Sequence, residues 1–65
     1  MLKRTRIKEL TTGDIFFING HRFKVMGRVM RDKQIFVCAY EDRLRGIRKL
    51  NYLDLDMEVL IDDKR

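Results

Sequence analysis

The dipeptide Asn19-Gly20 lies between two aromatic-bearing apolar runs and constrains the fold more than any other feature of this sequence. Asn-Gly is the strongest short signal for a two-residue β-hairpin turn, because both central residues of that turn need a positive φ. Counting outward from the turn pairs Phe16 with Phe23 and Phe17 with Arg22. The sequence therefore predicts a β-hairpin with a defined register.

The two faces of this hairpin differ in chemistry, because successive side chains of a strand point to opposite sides. One face carries Phe16, Ile18, Phe23 and Val25, which are the predicted core, together with His21, which is expected to flank the turn or lie at the surface. The other face mixes apolar and basic residues, namely Ile15, Phe17, Arg22, Lys24 and Met26. This second face is either a further core layer, with the basic groups reaching past it to water, or a surface that holds a partner.

The rest of the chain predicts more strands and no helix of ordinary length. The expected elements are a bend or bulge at Gly27, a turn over 31–33, a central strand over 34–40, a short strand over 47–50, a tight turn over 51–56 and a last strand over 57–61. Five short strands at about ten-residue spacing predict an all-β domain, either a small five-stranded barrel or a strongly bent antiparallel sheet. We assign residues 10–62 to this domain, residues 1–9 to a basic arm or a first strand, and residues 63–65 to a frayed tail.

The residue inventory argues against catalysis and cofactors. One cysteine, Cys38, and one histidine, His21, supply neither a disulfide framework nor a zinc site within the chain. The chain has no serine, and it offers no nucleophile with a base and an orienting group. The alternating carboxylates Asp54, Asp56 and Glu58 favour a solvated strand face over a cation site, because a Ca²⁺ loop needs a glycine and further carbonyl oxygens. We therefore predict no enzyme, no metal and no cofactor.

Composition also predicts the compartment. No apolar run approaches the roughly 20 residues that a membrane helix requires, and no apolar segment follows the first basic residues to form a signal peptide. The lone Cys38, inside an apolar run, is typical of a reducing compartment. The expected location is cytoplasmic, without a membrane partner.

The charge is uneven along the chain and suggests a polyanionic partner. The net charge is +5, but residues 1–50 hold 13 Lys and Arg against 5 Asp and Glu, whereas residues 51–65 hold 2 against 5. Arginine suits phosphate because its planar fork donates two parallel hydrogen bonds and stacks on bases. The predicted basic surface comprises Arg22, Lys24, Arg28, Arg31, Arg43, Arg45, Arg48 and Lys49.

Aromatic side chains beside those cations would strengthen a nucleic-acid interpretation, because bases stack on them. Phe17 is the main candidate, with Tyr40 and Tyr52 as more distant ones. The sequence thus predicts a non-enzymatic binding or regulatory module whose partner is a nucleic acid or an acidic protein surface.

A protein partner is the alternative, because a short β chain with apolar residues on both hairpin faces must cover one of them. A second copy of the chain could do this, as could a host protein bound by an interaction or inhibitor module of phage or prophage origin. In that alternative Phe17 and Met26 make the contact.

Residues 10–25 carry a motif of the form L-x-x-G-D-x-F-x-x-x-G-x-x-(F/Y)-x-V. Its defined positions are met by Leu10, Gly13, Asp14, Phe16, Gly20, Phe23 and Val25. The motif resembles the small SH3-like β-barrels of short bacterial and phage-encoded accessory proteins. The resemblance covers residues 10–40 and implies a barrel fold whose partners range over nucleic acid and protein.

A second similarity is to the carbon storage regulator family of dimeric RNA-binding proteins. It is carried by Met1, Leu2, Thr5, Arg6, Gly13 and Asp14. The sequence departs from that family in the insertion over residues 7–12, in its Asn-Gly hairpin and in its acidic last strand.

Overall fold

The computed structural model of the chain describes residues 1–42 and 48–62. The strands are β1 (Leu2–Arg6), β2 (Ile15–Ile18), β3 (His21–Arg31), β4 (Gln34–Asp42), β5 (Arg48–Asp54) and β6 (Glu58–Asp62), and a 3₁₀ turn spans Ile7–Glu9. They form one antiparallel sheet in the order β1-β6-β2-β3-β4-β5. The fold is therefore all-β and antiparallel, as the sequence predicts.

The five-stranded barrel is wrong in strand number and in closure. Residues 2–6 form a strand rather than an arm, because all five of them pair with β6. Residues 51–54 were expected in a turn but extend β5, since each of them pairs with a residue of β4. Within the described residues, β1 and β5 are the two ends of the sheet, which does not close into a barrel.

The Asn-Gly hairpin has the predicted register. Phe16 lies opposite Phe23 and Phe17 lies opposite Arg22. Asn19 and Gly20 have φ values of 50° and 80°, which are the two positive angles that the turn requires. The rings of Phe16 and Phe23 stack with their centroids 5.1 Å apart. The Asn19-Gly20 turn and the stacking of Phe16 on Phe23 therefore both favour the same register between β2 and β3.

Two further sequence predictions along β3 are confirmed. The register with β4 shifts between Val25 and Gly27, so a bulge lies at the predicted glycine. The chain then turns at Asp32 and Lys33, both with positive φ, and continues into β4. Because a bulge increases the local twist and bends the strand, it helps β3 and β4 to curve over the core.

The core lies on one side of this curved sheet. We call that side the inner face, and its buried residues are Phe16, Phe23, Val25, Val37, Ala39 and Val59. The segment after β1 completes it, because backbone bonds from Ile7 N to Met57 O and from Lys8 N to Leu55 O continue the pairing and bury Ile7. Leu10 is buried at the same end. A 3₁₀ turn and sheet curvature together therefore enclose the core.

The opposite side is the outer face, which carries Phe17, Lys24, Tyr40 and Tyr52. These residues share a side because paired residues of neighbouring strands point the same way and alternate along each strand. The helical part of the described chain is the three-residue turn Ile7–Glu9, so no helix in it is long and apolar enough to cross a membrane.

Candidate functional site

The outer face begins with a row of four residues across β1, β6, β2 and β3. Leu60 is paired with Arg4 on one side and with Phe17 on the other, and Phe17 is paired with Arg22. An aromatic ring and an aliphatic side chain therefore lie between two arginines. Phe17 is half-buried in this row rather than enclosed in the core.

A second row crosses β2, β3, β4 and β5. Ile15 pairs with Lys24, Lys24 with Tyr40 and Tyr40 with Leu50. Lys24 is exposed between its two neighbours, and Leu50 keeps 41% of its surface exposed. The row thus places a lysine beside an aromatic ring on a partly solvated surface.

The third row leads to the most exposed aromatic residue of the outer face. Cys38 pairs with Gly27 on one side and with Tyr52 on the other. The guanidinium carbon of Arg31 lies 5.0 Å from the centre of the Tyr52 ring, within cation–π range. Tyr52 nevertheless keeps 44% of its surface exposed. Arg31 therefore contacts one face of the Tyr52 ring, while much of the Tyr52 side chain remains exposed to solvent.

Three aromatic residues form a diagonal on this face. Tyr40 and Tyr52 are diagonal neighbours on adjacent strands, which puts their Cα atoms about 8 Å apart at ordinary strand spacing. Phe17 and Tyr40 lie two strands apart, at about 12 Å by the same geometry, with Lys24 between them. The diagonal therefore places three aromatic residues and one lysine across four strands, in the order aromatic, basic, aromatic, aromatic.

Charge on the outer face is concentrated in its middle. Arg22, Lys24 and Arg31 all lie on β3, and Arg4 lies at the end of the first row. Among residues whose side chains the structure describes, the carboxylates with this orientation lie on β5 and β6. Among them, Asp54 accepts a hydrogen bond of 3.3 Å from Gln34 Nε2. An anion over β3 would therefore meet cations first.

The structure brings together four of the nine residues that the sequence assigns to the site. Phe17, Arg22, Lys24 and Arg31 share the outer face. Arg43 and Arg45 lie outside the described residues, and for Arg48 only the backbone position in β5 is described. The remaining two residues, Arg28 and Lys49, are on the inner side.

Arg28 and Lys49 do not join the outer face because of their register. Arg28 pairs with buried Val37, and its Nη2 donates a 2.9 Å hydrogen bond to the backbone carbonyl of Lys8. Lys49 pairs with Glu41, which is only 8% exposed. The bulge at Gly27 shifts Arg28 to this side, because the extra residue reverses the alternation of faces along the rest of β3. Arg28 therefore holds β3 against the 3₁₀ turn.

Sequence reasoning missed Arg4 as a neighbour of Phe17. Arg4 belongs to a segment that the sequence assigns either to a basic arm or to a first strand, and only a strand gives its side chain a defined face. Only the pairing of β1 with β6 and of β6 with β2 places Arg4 in the same row as Phe17.

Replacing Arg28 with alanine should lower the free energy of unfolding by about 1–2 kcal/mol, because an exposed charged donor to a backbone carbonyl is lost. Urea denaturation would measure this change. Affinity for nucleic acid should stay within about threefold of the unchanged chain, since Arg28 points away from the outer face. A larger loss of affinity would mean that Arg28 contacts the ligand.

Among the residues that the structure describes, the remaining chemistry-bearing side chains do not form a second site. Nδ1 of His21 lies 3.2 Å from Oε2 of Glu41, at the end of the inner face. Asp56 lies 3.8 Å from Nζ of Lys8, so two of the alternating carboxylates already have partners. Within residues 1–42 and 48–62, no three His, Cys, Asp or Glu residues lie close enough to hold a metal ion.

A shallow cleft of about 880 Å³ lies where β1 and β6 meet the start of β2. It is lined by Lys3 and Arg22 but also by Glu9, Asp14 and Asp62. Its mixed charges do not select an anion or a cation.

No family model, curated protein or solved structure matches this chain.

Proposed function

We propose that this chain is a non-enzymatic module that binds single-stranded nucleic acid on its outer face. The observation that carries the proposal is the diagonal of Phe17, Tyr40 and Tyr52 on one face, with Lys24 and arginines beside these aromatic residues. Bases stack on aromatic side chains, at about 1–3 kcal/mol per base, while basic groups track the phosphates. The outer face offers both groups on one rigid surface.

The geometry favours a single strand over a duplex. A base within a duplex hides its ring faces, so stacking on Tyr52 needs a base that is already unstacked. The major groove of B-form DNA admits a helix or a two-stranded ribbon, whereas this face spans four strands. Duplex binding is therefore limited to the phosphates and should be weaker.

The proposed contacts are Phe17, Tyr40 and Tyr52 for bases and Arg4, Arg22, Lys24 and Arg31 for phosphates. A cytoplasmic location, which the composition predicts, would give access to such strands. Kinship with SH3-like barrels is part of the proposal and is supported by the turn over 11–14 and the Asn-Gly hairpin.

The direct test is fluorescence anisotropy with labelled single-stranded and double-stranded DNA and RNA of one sequence, in about 50 and 200 mM salt. We expect the single strand to bind at least about tenfold more tightly than the duplex, because only it can stack. Each phosphate contact should add about 0.7 to the slope of log affinity against log salt. Absence of binding at the lower salt would remove the proposal.

Replacing Tyr52 with alanine should reduce affinity for the single strand by about 5- to 100-fold, because one stacking surface is lost. Tyr52→Phe keeps the ring and should bind nearly as well as the unchanged chain. The matched control is Met30→Ala, since Met30 is 71% exposed and pairs on the inner side of the bulged strand. Equal losses for Tyr52→Ala and Met30→Ala would contradict stacking at Tyr52.

A protein partner is the second candidate, and the exposed apolar surface favours it. Met26, Leu50 and Tyr52 are each more than two-fifths exposed. In this case the module would dock on another protein, as a regulator or inhibitor does, and a phage origin would fit that role. Affinity for a protein partner should depend little on salt, whereas affinity for nucleic acid should fall steeply as salt rises. Phe17→Ala should weaken binding in both cases, so the salt dependence distinguishes the two candidates.

A further inference from the structure

We infer that two copies of this chain join through β5, by antiparallel pairing of β5 with itself about Asn51. The inference is independent of the proposed nucleic-acid binding. It starts from the open sheet, whose order ends at β1 and β5. Each of these two strands has a paired neighbour on one side only among the described residues.

The outer side of β5 is suited to accept another strand. A strand at a sheet edge presents a row of backbone N–H and C=O groups, which pair readily with another chain unless charge, proline or a bulge prevents it. β5 is seven residues long and contains no proline. Its pairing with β4 runs from Asp42–Arg48 to Phe36–Asp54 with no bulge.

The sequence of β5 is complementary to itself in one register. A two-fold axis perpendicular to the sheet leaves the outer faces of both copies on the same side, so each residue must pair with a residue that points to the same face. Because side chains alternate along a strand, this condition is met only when the axis passes through a residue and not between two residues. An axis at Asn51 pairs all seven residues, whereas an axis at Leu50 or Tyr52 pairs only five. The register about Asn51 therefore forms the most backbone hydrogen bonds.

Side-chain chemistry selects the same register. Pairing about Asn51 puts Arg48 of each copy opposite Asp54 of the other, and Leu50 opposite Tyr52. Opposite charges and aromatic–aliphatic pairs across strands each contribute roughly 0.2–1 kcal/mol. Two such charge pairs and two such apolar pairs form, because the two-fold axis repeats each of them. Leu50 and Tyr52, at 41% and 44% exposure, would then be partly covered.

β1, the other end of the sheet, is not suited to pair with itself. Its sequence holds Lys3, Arg4 and Arg6 and no carboxylate. Pairing about Arg4 would put two arginines directly opposite each other, and like charges opposite each other destabilise a pair. Repulsion between its cations therefore disfavours pairing of β1 with a second β1, whereas the opposite charges of β5 favour pairing of β5 with a second β5.

The resulting dimer has one continuous sheet of twelve strands, twice the number in the single chain. A contact made by one seven-residue strand per copy belongs to the small interfaces, below about 1,200 Å² in total, for which micromolar affinity is ordinary. The outer faces of the two copies would lie on the same side of this sheet, with their Tyr52 residues on either side of the joint.

Sedimentation equilibrium of the full chain from about 1 µM to about 1 mM would test the inference, because that span brackets a micromolar dimer. We expect a monomer–dimer equilibrium for the unchanged chain. Arg48→Asp and Asp54→Arg, each alone, put like charges opposite each other twice and should weaken dimerisation at least about tenfold. The double variant Arg48→Asp/Asp54→Arg restores opposite charges and should regain most of the dimer.

Lys33→Asp controls for the change in net charge, because it lies in the turn between β3 and β4; since Arg48 also pairs with Asp42 of its own chain, urea denaturation must show that Arg48→Asp stays folded. Lys33→Asp should dimerise like the unchanged chain. A chain that stays monomeric at 1 mM, single variants that dimerise normally, or a double variant without recovery would each overturn the inference. Intermolecular NOEs between Leu50 and Tyr52, in a mixture of labelled and unlabelled chain, test the register without any substitution; their absence in a dimer would also overturn it.

Discussion

Replacing Phe16 with alanine is expected to remove about a third or more of the free energy of unfolding of this chain. The Phe16 side chain is completely buried and stacks on Phe23 at the centre of the core. A buried Phe→Ala change costs about 3–5 kcal/mol, because apolar contacts are lost and a cavity remains. A domain of this length has only about 3–10 kcal/mol of stability in total.

Urea denaturation followed by circular dichroism would measure this loss. Phe17→Ala is the matched control, since the adjacent phenylalanine lies on the outer face and is only half-buried. It should cost about half as much or less and should leave a folded chain. If both variants lose the same stability, the assignment of Phe16 to the inner face and Phe17 to the outer face is wrong.

The second large effect is expected from neutralising three cations of β3. The triple variant Arg22→Gln/Lys24→Gln/Arg31→Gln should bind single-stranded nucleic acid about 100-fold more weakly at 0.1 M salt. The reason is counterion release, at about 0.7 units of salt slope for each phosphate contact. Three lost contacts remove about two units of slope and therefore about two decades of affinity. Glutamine keeps part of each side-chain stem, which limits the loss of packing.

The matched control changes three lysines elsewhere, as Lys8→Gln/Lys33→Gln/Lys49→Gln. It lowers the net charge by the same amount, but Lys8 lies on the 3₁₀ turn, Lys33 lies in the turn between β3 and β4, and Lys49 pairs on the inner side. We expect a loss below about tenfold, from the weaker long-range field alone. Similar losses for the two triple variants would show that net charge, rather than the outer face, determines binding. Anisotropy titrations over several salt concentrations give both the affinity and the slope.

The two faces of this sheet explain how so short a chain can form a core and still expose aromatic side chains. The inner face receives Ile7 and Leu10 from the segment between β1 and β2, so it forms a core without a helix or a second sheet. The outer face keeps Phe17 and Tyr40 half-buried and Tyr52 exposed. Rings in that state pack against their neighbours in the sheet and keep part of their surface in contact with solvent.

The sequence by itself determined the local features of this protein. The Asn19-Gly20 turn, its register and the bulge at Gly27 follow from turn chemistry and from the alternation of apolar residues, which act over a few residues. The same alternation placed Phe17, Arg22 and Lys24 on one face. These predictions hold because a strand has only two faces and a two-residue turn allows one register.

Only the tertiary structure decided which distant strands meet. Residues 2–6 pair with β6, and residues 51–54 extend β5, because backbone groups there find partners that local propensity does not reveal. Pairing across more than fifty residues also brings Arg4 beside Leu60 and Phe17. Arg28 moved to the inner side because the bulge changes strand parity, and its hydrogen bond to Lys8 needs the sheet to curve. The open edge at β5 is likewise a property of the whole sheet, since no segment encodes by itself whether a sheet closes.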